Sequence, residues 1–286
     1  MPVDFRYHLA SIVAVFCALL IGILLGIALV GDPSLENQLK TWKYQHRRDS
    51  DTIAELRQSQ ENSRAFGKLV LPSLIDARLR GVRVAVILNR DLGDVAWVEA
   101  VMTTIRQAGG QITSVTSILP RFMLLKPDNA KAIFNEFEFA IPIEGELRSI
   151  LAGKLAVRIA QGPPDLPFRL RRLGLIRVQG DNTLAADTVL LVGGAERDLT
   201  SVNTLDLPMI RALQENNKRV IACEAGAAQL SAMDAYQRRA ITTVDNADTS
   251  AGQLALVLAL AGASGNFGVK RNADDRLLPP LTPPGR

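Results

Sequence analysis

From Leu9 to Gly31 the chain reads LASIVAVFCALLIGILLGIALVG, without a charged residue. A helix of about 23 apolar residues spans the roughly 30 Å hydrocarbon core of a bilayer, so this run limits the possible folds more than any other feature. A cleaved signal peptide would have a shorter apolar run and a small-x-small cleavage site. Asp32, Pro33, Ser34 and Leu35 offer no such site, and residues 1–31 read as an uncleaved, single-pass anchor. Ala10, Ala14, Ala18, Gly22 and Gly26 recur at every fourth position. On a helix they form one smooth stripe of the kind that lets two helix backbones approach closely. Ala14, Ala18, Gly22 and Gly26 are therefore the helix-packing candidates, with a second copy of the chain as the expected partner. Flanking charge leaves the topology open. Arg6 and His8 precede the run, whereas Lys40, Lys43, Arg47 and Arg48 follow it only after Asp32 and Glu36.

Composition bounds the rest. A chain of 286 residues with 48% hydrophobic and 22% charged residues suits one globular domain with one membrane segment. The net charge of +4 is spread thinly, with short basic clusters only at Arg47–Arg48 and at Arg169, Arg171 and Arg172. Nucleic-acid binding needs a denser basic face and is excluded as a partner class. The two histidines, His8 and His46, both precede the globular part, and Cys17 lies in the apolar run while Cys223 lies deep in the domain. No intrachain disulfide is expected.

Residues 32–80 read as a helical stalk. Ser34 is the expected cap, and no Pro or Gly interrupts Leu35 to Phe66. A heptad frame places Leu39, His46, Ile53 and Gln60 at a, and Leu35, Trp42, Asp49, Leu56 and Ser63 at d. This is a coiled-coil-like seam whose polar positions set register at a cost in stability. The alternative is a solvated single helix. Gly67 is the expected hinge, followed by a short helix over Leu69–Leu79.

From residue 81 the pattern changes. Short apolar runs at Val82–Leu88, Ile112–Ile118, Leu175–Val178, Thr188–Val192, Arg219–Cys223 and Ile241–Val244 read as strands. Helical stretches separate them at Val95–Ala108, across much of Pro120–Arg172, at Leu205–Asn216 and at Thr249–Ala261. Apolar strands alternating with helices predict an α/β fold, a doubly wound, Rossmann-like and mostly parallel sheet over residues 81–263. The tail, residues 264–286, is rich in proline and is expected to be disordered.

Ligands of such sheets sit beyond the carboxyl ends of the strands. Asn89–Asp94, Gly193–Asp198 and Cys223–Gly226 end strands there, making Gly193, Gly194 and Cys223 a candidate ligand cleft. None completes a phosphate-cradling motif, and a Gly pair closing a strand is commonly a tight turn. Cys223 has the outline of a nucleophile, but no histidine follows His46 to take its proton. No catalytic residue, metal ligand or cofactor is assigned, and the chain is not expected to be an enzyme. The methionines at 1, 102, 123, 209 and 233 are scattered and form no soft copper-binding pattern.

The segments FRYHLASIVAVFCALLIGILLG, ITTVDNADTSAGQLALVLALAG and GNFGVK, in this order around the stalk, resemble the mycobacterial copper transport protein family. The resemblance implies a membrane protein of the cell envelope with a role in copper homeostasis or transport. It places the N-terminus in the cytoplasm and the α/β domain outside. Through relatives it also implies an envelope protein partner, a peptidoglycan-hydrolase system engaged by a coiled coil. Copper enters only through this resemblance. Two functions stand side by side, copper homeostasis and an anchored coiled-coil scaffold for envelope assembly.

Overall fold

The computed structural model describes residues 5–29, 33–88, 96–180, 183–194, 199–273 and 276–281. The chain divides into two units, Met1–Ser63 and Arg64–Arg286.

In the first unit, α1 (Phe5–Leu29) contains the stretch His8–Ala28, which is long and apolar enough to cross a membrane. Its large side chains are uncovered, Phe16 at 65% and Ile27 at 68% exposure, a surface that lipid solvates and water does not. Ala14, Ala18, Gly22 and Gly26 are all exposed, and a Cβ added at Gly22 or Gly26 would touch nothing within 4 Å. The second helix, α2 (Pro33–Ile75), has 43 residues, with Pro33 at its first position, where the missing N–H costs nothing. The hydroxyls of Thr41 and Thr52 donate to the carbonyls of Asn37 and Arg48, at 2.8 and 2.9 Å. Every described side chain from Asn37 to Ser63 is exposed, including Trp42, Ile53 and Leu56. The side chains of Ser34, Leu35 and Leu39 lie outside the described residues.

The second unit takes the end of α2 into its core. No hinge forms at Gly67, because the helix continues through Gly67 and Pro72 to Ile75. The glycine serves packing instead: a Cβ there would stand 2.9 Å from the Cβ of Ser250. Leu71 and Ile75 are buried beyond it.

Among the described residues the sheet has seven strands: β1 (Arg83–Leu88), β2 (Gln111–Ile118), β3 (Ile176–Gly180), β4 (Thr188–Val192), β5 (Arg219–Cys223), β6 (Thr242–Val244) and β7 (Asn266–Phe267). Their order is β3-β2-β1-β4-β5-β6-β7, parallel except for the antiparallel β2–β3 pair. The helices are α3 (Ala96–Gln107), α4 (Pro120–Met123), α5 (Pro127–Glu136), α6 (Leu147–Gln161), α7 (Asp165–Arg172), α8 (Leu207–Glu215), α9 (Met233–Gln237) and α10 (Ser250–Leu260).

Side-chain alternation along the strands splits the core in two. Ala85, Ile87, Val189, Leu191, Val220 and Ala222 pack on one face with residues of α4 through α9. Val84, Val86, Leu190, Val192, Ile221 and Cys223 pack on the other with the end of α2, α3 and α10. Helices on both faces explain why β4 is buried throughout and reads as an unbroken apolar run.

The expectation of a disordered tail from residue 264 is corrected over its first residues. Thr243 pairs with Asn266 and Val244 with Phe267, extending the sheet by β7. Phe267 is 3% exposed, which supplies the apolar anchor that proline counting concealed. Residues 282–286, and with them Pro283 and Pro284, lie outside the described residues.

Candidate functional site

Strand order reverses between β1 and β4, and open α/β sheets bind ligands outside the carboxyl ends of the strands at such a point. Asn89–Asp94 and the last four residues of Gly193–Asp198 lie outside the described residues. Among the described residues, side chains of the protein itself pack around Gly193, Gly194 and Cys223.

The Gly193 N–H donates to the carbonyl of Cys223 at 2.8 Å, prolonging the β4–β5 ladder. A Cβ on Gly193 would stand 2.5 Å from the Tyr236 hydroxyl oxygen, so the tyrosine ring occupies the place of a side chain. Tyr236 is fully buried and donates its hydroxyl to Asp206 Oδ2 at 2.5 Å. Asp206 ends a π-helical turn, Val202–Asp206, that leads into α8. Burial, and then the Asp206 charge, hold the Tyr236 pKa well above its ordinary value, so the ring stays a proton donor.

Gly194 has φ +96°, and a Cβ added there would meet Ala228 Cβ at 3.3 Å, a tight contact, and Glu224 Cβ at 3.5 Å. Cys223 projects into the opposite core from Tyr236 and is fully buried. Burial, and then the Glu224 charge, push its thiol far up. A thiol kept protonated is a poor nucleophile. Among the described residues, the structure thus joins the backbones of Gly193 and Cys223, while Tyr236 beside the one and the Cys223 side chain belong to opposite cores.

The chemically dense feature of this edge is Glu224, which directly follows β5. Its carboxylate is fully buried and accepts from the Ser231 hydroxyl at 2.5 Å, the Ala232 N–H at 3.1 Å and the Lys270 ammonium at 2.5 Å. Lys270 also donates to the Ala225 carbonyl at 3.3 Å. Asp245 accepts from the N–H groups of Val269 and Lys270, at 2.8 and 3.0 Å. Gly268 makes that approach possible: its φ is +143°, and a Cβ would lie 2.0 Å from Asp245 Oδ1.

Around α10 the same economy of backbone contacts recurs. Asp248 accepts from the Gly226 N–H at 2.7 Å. Thr249 caps α10, accepting from the Gly252 N–H at 3.0 Å and donating to the Asn246 carbonyl at 2.9 Å. The block Thr243–Gly252, quoted above for the family resemblance, is therefore a clamp. It fastens the loop after β5, the start of α10 and the segment after β7 to one sheet edge. Sequence reasoning did not assign Glu224 or Lys270, because no spacing rule links residues 46 positions apart.

An open groove of about 1020 Å³ is lined by residues of α6 and α8. Lys154 lies in its lining, with its ammonium 5.1 Å from the Phe139 ring centre. Among the described residues of one chain, no three of His, Cys, Asp and Glu gather as a metal site would need. Met209 and Met233 are core residues, at 1% and 0% exposure.

These features define a mixed α/β protein with a clamped sheet edge and an N-terminal helix long and apolar enough to cross a membrane. No curated protein matches the chain. Residues 2–278 match the family described as "Copper transport outer membrane protein, MctB", and the chain belongs to that family.

Proposed function

We propose that this protein serves copper homeostasis or transport at the cell envelope as a membrane-anchored, non-enzymatic chain, with copper as its cargo and no resident cofactor. The family match over residues 2–278 carries this reading. In it, α1 is the anchor and the α/β domain stands on the extracytoplasmic side. One apolar helix encloses no pore, so movement of copper across a membrane requires several copies or a partner.

Self-association through α1 and α2 belongs to the same reading. Trp42 at 61%, Ile53 at 50% and Leu56 at 64% exposure support it. Fully burying a side chain of this class stabilises by about 1.5–3 kcal/mol. A parallel second copy offers that burial along the heptad seam. The same seam favours the second reading, an anchored scaffold for envelope assembly.

The deciding experiment is deletion and complementation. Loss of the protein should lower tolerance to added copper, and the full chain should restore it. Unchanged tolerance would remove the copper reading, and a normal envelope in the same strain would count against the scaffold. A reporter fused at Arg286 tests the side on which the domain stands.

A further inference from the structure

We propose that the paired α2 helices hold a divalent-metal site built from His46 and Asp49 of two copies, four donors in all, with Cu(II) as the preferred ion. This rests on the reading that α2 pairs with a second copy of itself.

Continuity of α2 from Pro33 to Ile75 sets the geometry. At about 100° per residue, Trp42, His46, Asp49, Ile53 and Leu56 fall within roughly 40° of one line along the helix. All five are exposed, so no other described residue of the first unit covers this stripe. The stripe has a definite order, with an aromatic residue, then two metal-binding types, then two aliphatic residues. Trp42 stacks on the His46 imidazole with ring centres 5.2 Å apart and planes 4° from parallel. That contact restricts the imidazole to the stripe.

The second copy is the occupant that fits. Two chains anchored by the same apolar helix enter one bilayer from the same side, so their stalks run parallel and in register. In such a pair, a faces a and d faces d. His46 then meets His46 of the second copy, and Asp49 meets Asp49 in the adjacent layer, about 4.5 Å along the axis. Flanking positions do not oppose this. Lys43, Ser50 and Arg57 come to lie beside Gln38, Gln45 and Thr52 of the other helix, with no like charges facing.

The donor chemistry selects the ligand. Two facing carboxylates in a seam repel each other, and a dication between them reverses that term. Two imidazole nitrogens and two carboxylate oxygens suit a borderline divalent ion, and among first-row ions such sites bind Cu(II) most tightly. Paired acid and histidine residues spaced i, i+3 on facing helices are an established way to build metal sites in helix bundles. Trp42 on one side, with Ile53 and Leu56 on the other, shields the ion from water. One chain supplies only two donors, in keeping with the lack of a three-residue cluster among its described residues.

The test uses the full chain with Cys17→Ser in detergent micelles, with Cu(II) alone as the probe. Electron paramagnetic resonance should show one Cu(II) per two chains, coupled to two equivalent nitrogens. His46→Ala should abolish that signal, and Asp49→Asn should weaken binding and shift the spectrum. Pairing is read separately by oxidative cross-linking of Ile53→Cys. Failure to cross-link, together with a monomeric mass by light scattering, overturns the paired stalk and the site with it. Efficient cross-linking with Cu(II) binding that survives His46→Ala, through His8 for example, overturns the site alone. So does cross-linking with one ion per chain or with no binding.

Discussion

Replacing Lys270 by Met isolates the ion pair that fastens the segment after β7 to the sheet. Lys270 is 19% exposed at its side chain and its partner Glu224 is 0% exposed. Removing one partner of a buried ion pair costs about 3–5 kcal/mol, because the surviving charge is left uncompensated. Two features reduce that here. The Ser231 hydroxyl and the Ala232 N–H still solvate the carboxylate, and hydrogen bonds to a charged group contribute about 1.5–3 kcal/mol each. The lysine side of the pair also reaches solvent. A loss of about 2–3 kcal/mol is expected, or about 5–10 °C in Tm for a unit of this size.

Thermal unfolding of the full chain in micelles, followed by fluorescence, measures it. Trp97, at 9% exposure in the core beside α10, reports on the domain. The double variant Glu224→Gln with Lys270→Met removes both charges and should regain much of the loss. A Lys270→Met protein within about 0.5 kcal/mol of the original, or a double variant no better than the single, would refute the reasoning.

Gly252→Ala places a Cβ 1.9 Å from the Asn246 carbonyl oxygen, a backbone atom that cannot step aside. It should destabilise by more than about 3 kcal/mol, while Gly226→Ala, with its nearest contact at 3.4 Å, should be close to neutral. Equal denaturation midpoints for the two would contradict the clamp. Asp187 is held below the usual aspartate range, first by its side-chain hydrogen bond from Arg83. That bond's stabilisation is therefore present above the ordinary value of about 3.9 and is lost as pH falls through the lowered folded-state value. Both side chains are over 40% exposed, so the effect stays below about 1 kcal/mol. Asp187→Asn should flatten the acid limb of stability against pH, and an unchanged limb would disprove the assignment. In a Cys17→Ser background, Cys223 should resist thiol reagents until the domain unfolds, and rapid labelling of native protein would show the burial to be wrong.

Much of the secondary structure was legible because burial writes itself into local pattern. Thr188–Val192 and Arg219–Cys223 were read with the bounds they have, since strands covered on both faces become short apolar runs between turns. Gly67 misled for the opposite reason. Glycine signals a break only when its neighbours are unknown, and here the close approach of Ser250 accounts for it. What the sequence could not show at Gly193 is that its missing side chain makes room for Tyr236, which comes from another element more than forty residues away.

The sequence alone determined the apolar helix, the long charged helix after it, and a mixed α/β domain with a mostly parallel sheet. Each of these rests on periodicity or composition within a few turns of chain. Only the tertiary structure decided the strand order, the antiparallel direction of β3, the addition of β7, and the meeting of Glu224 with Lys270 and of Asp206 with Tyr236. Such contacts depend on which buried groups need a partner once the chain has closed on itself. That need has no fixed spacing, so it leaves no mark in the sequence to be read beforehand.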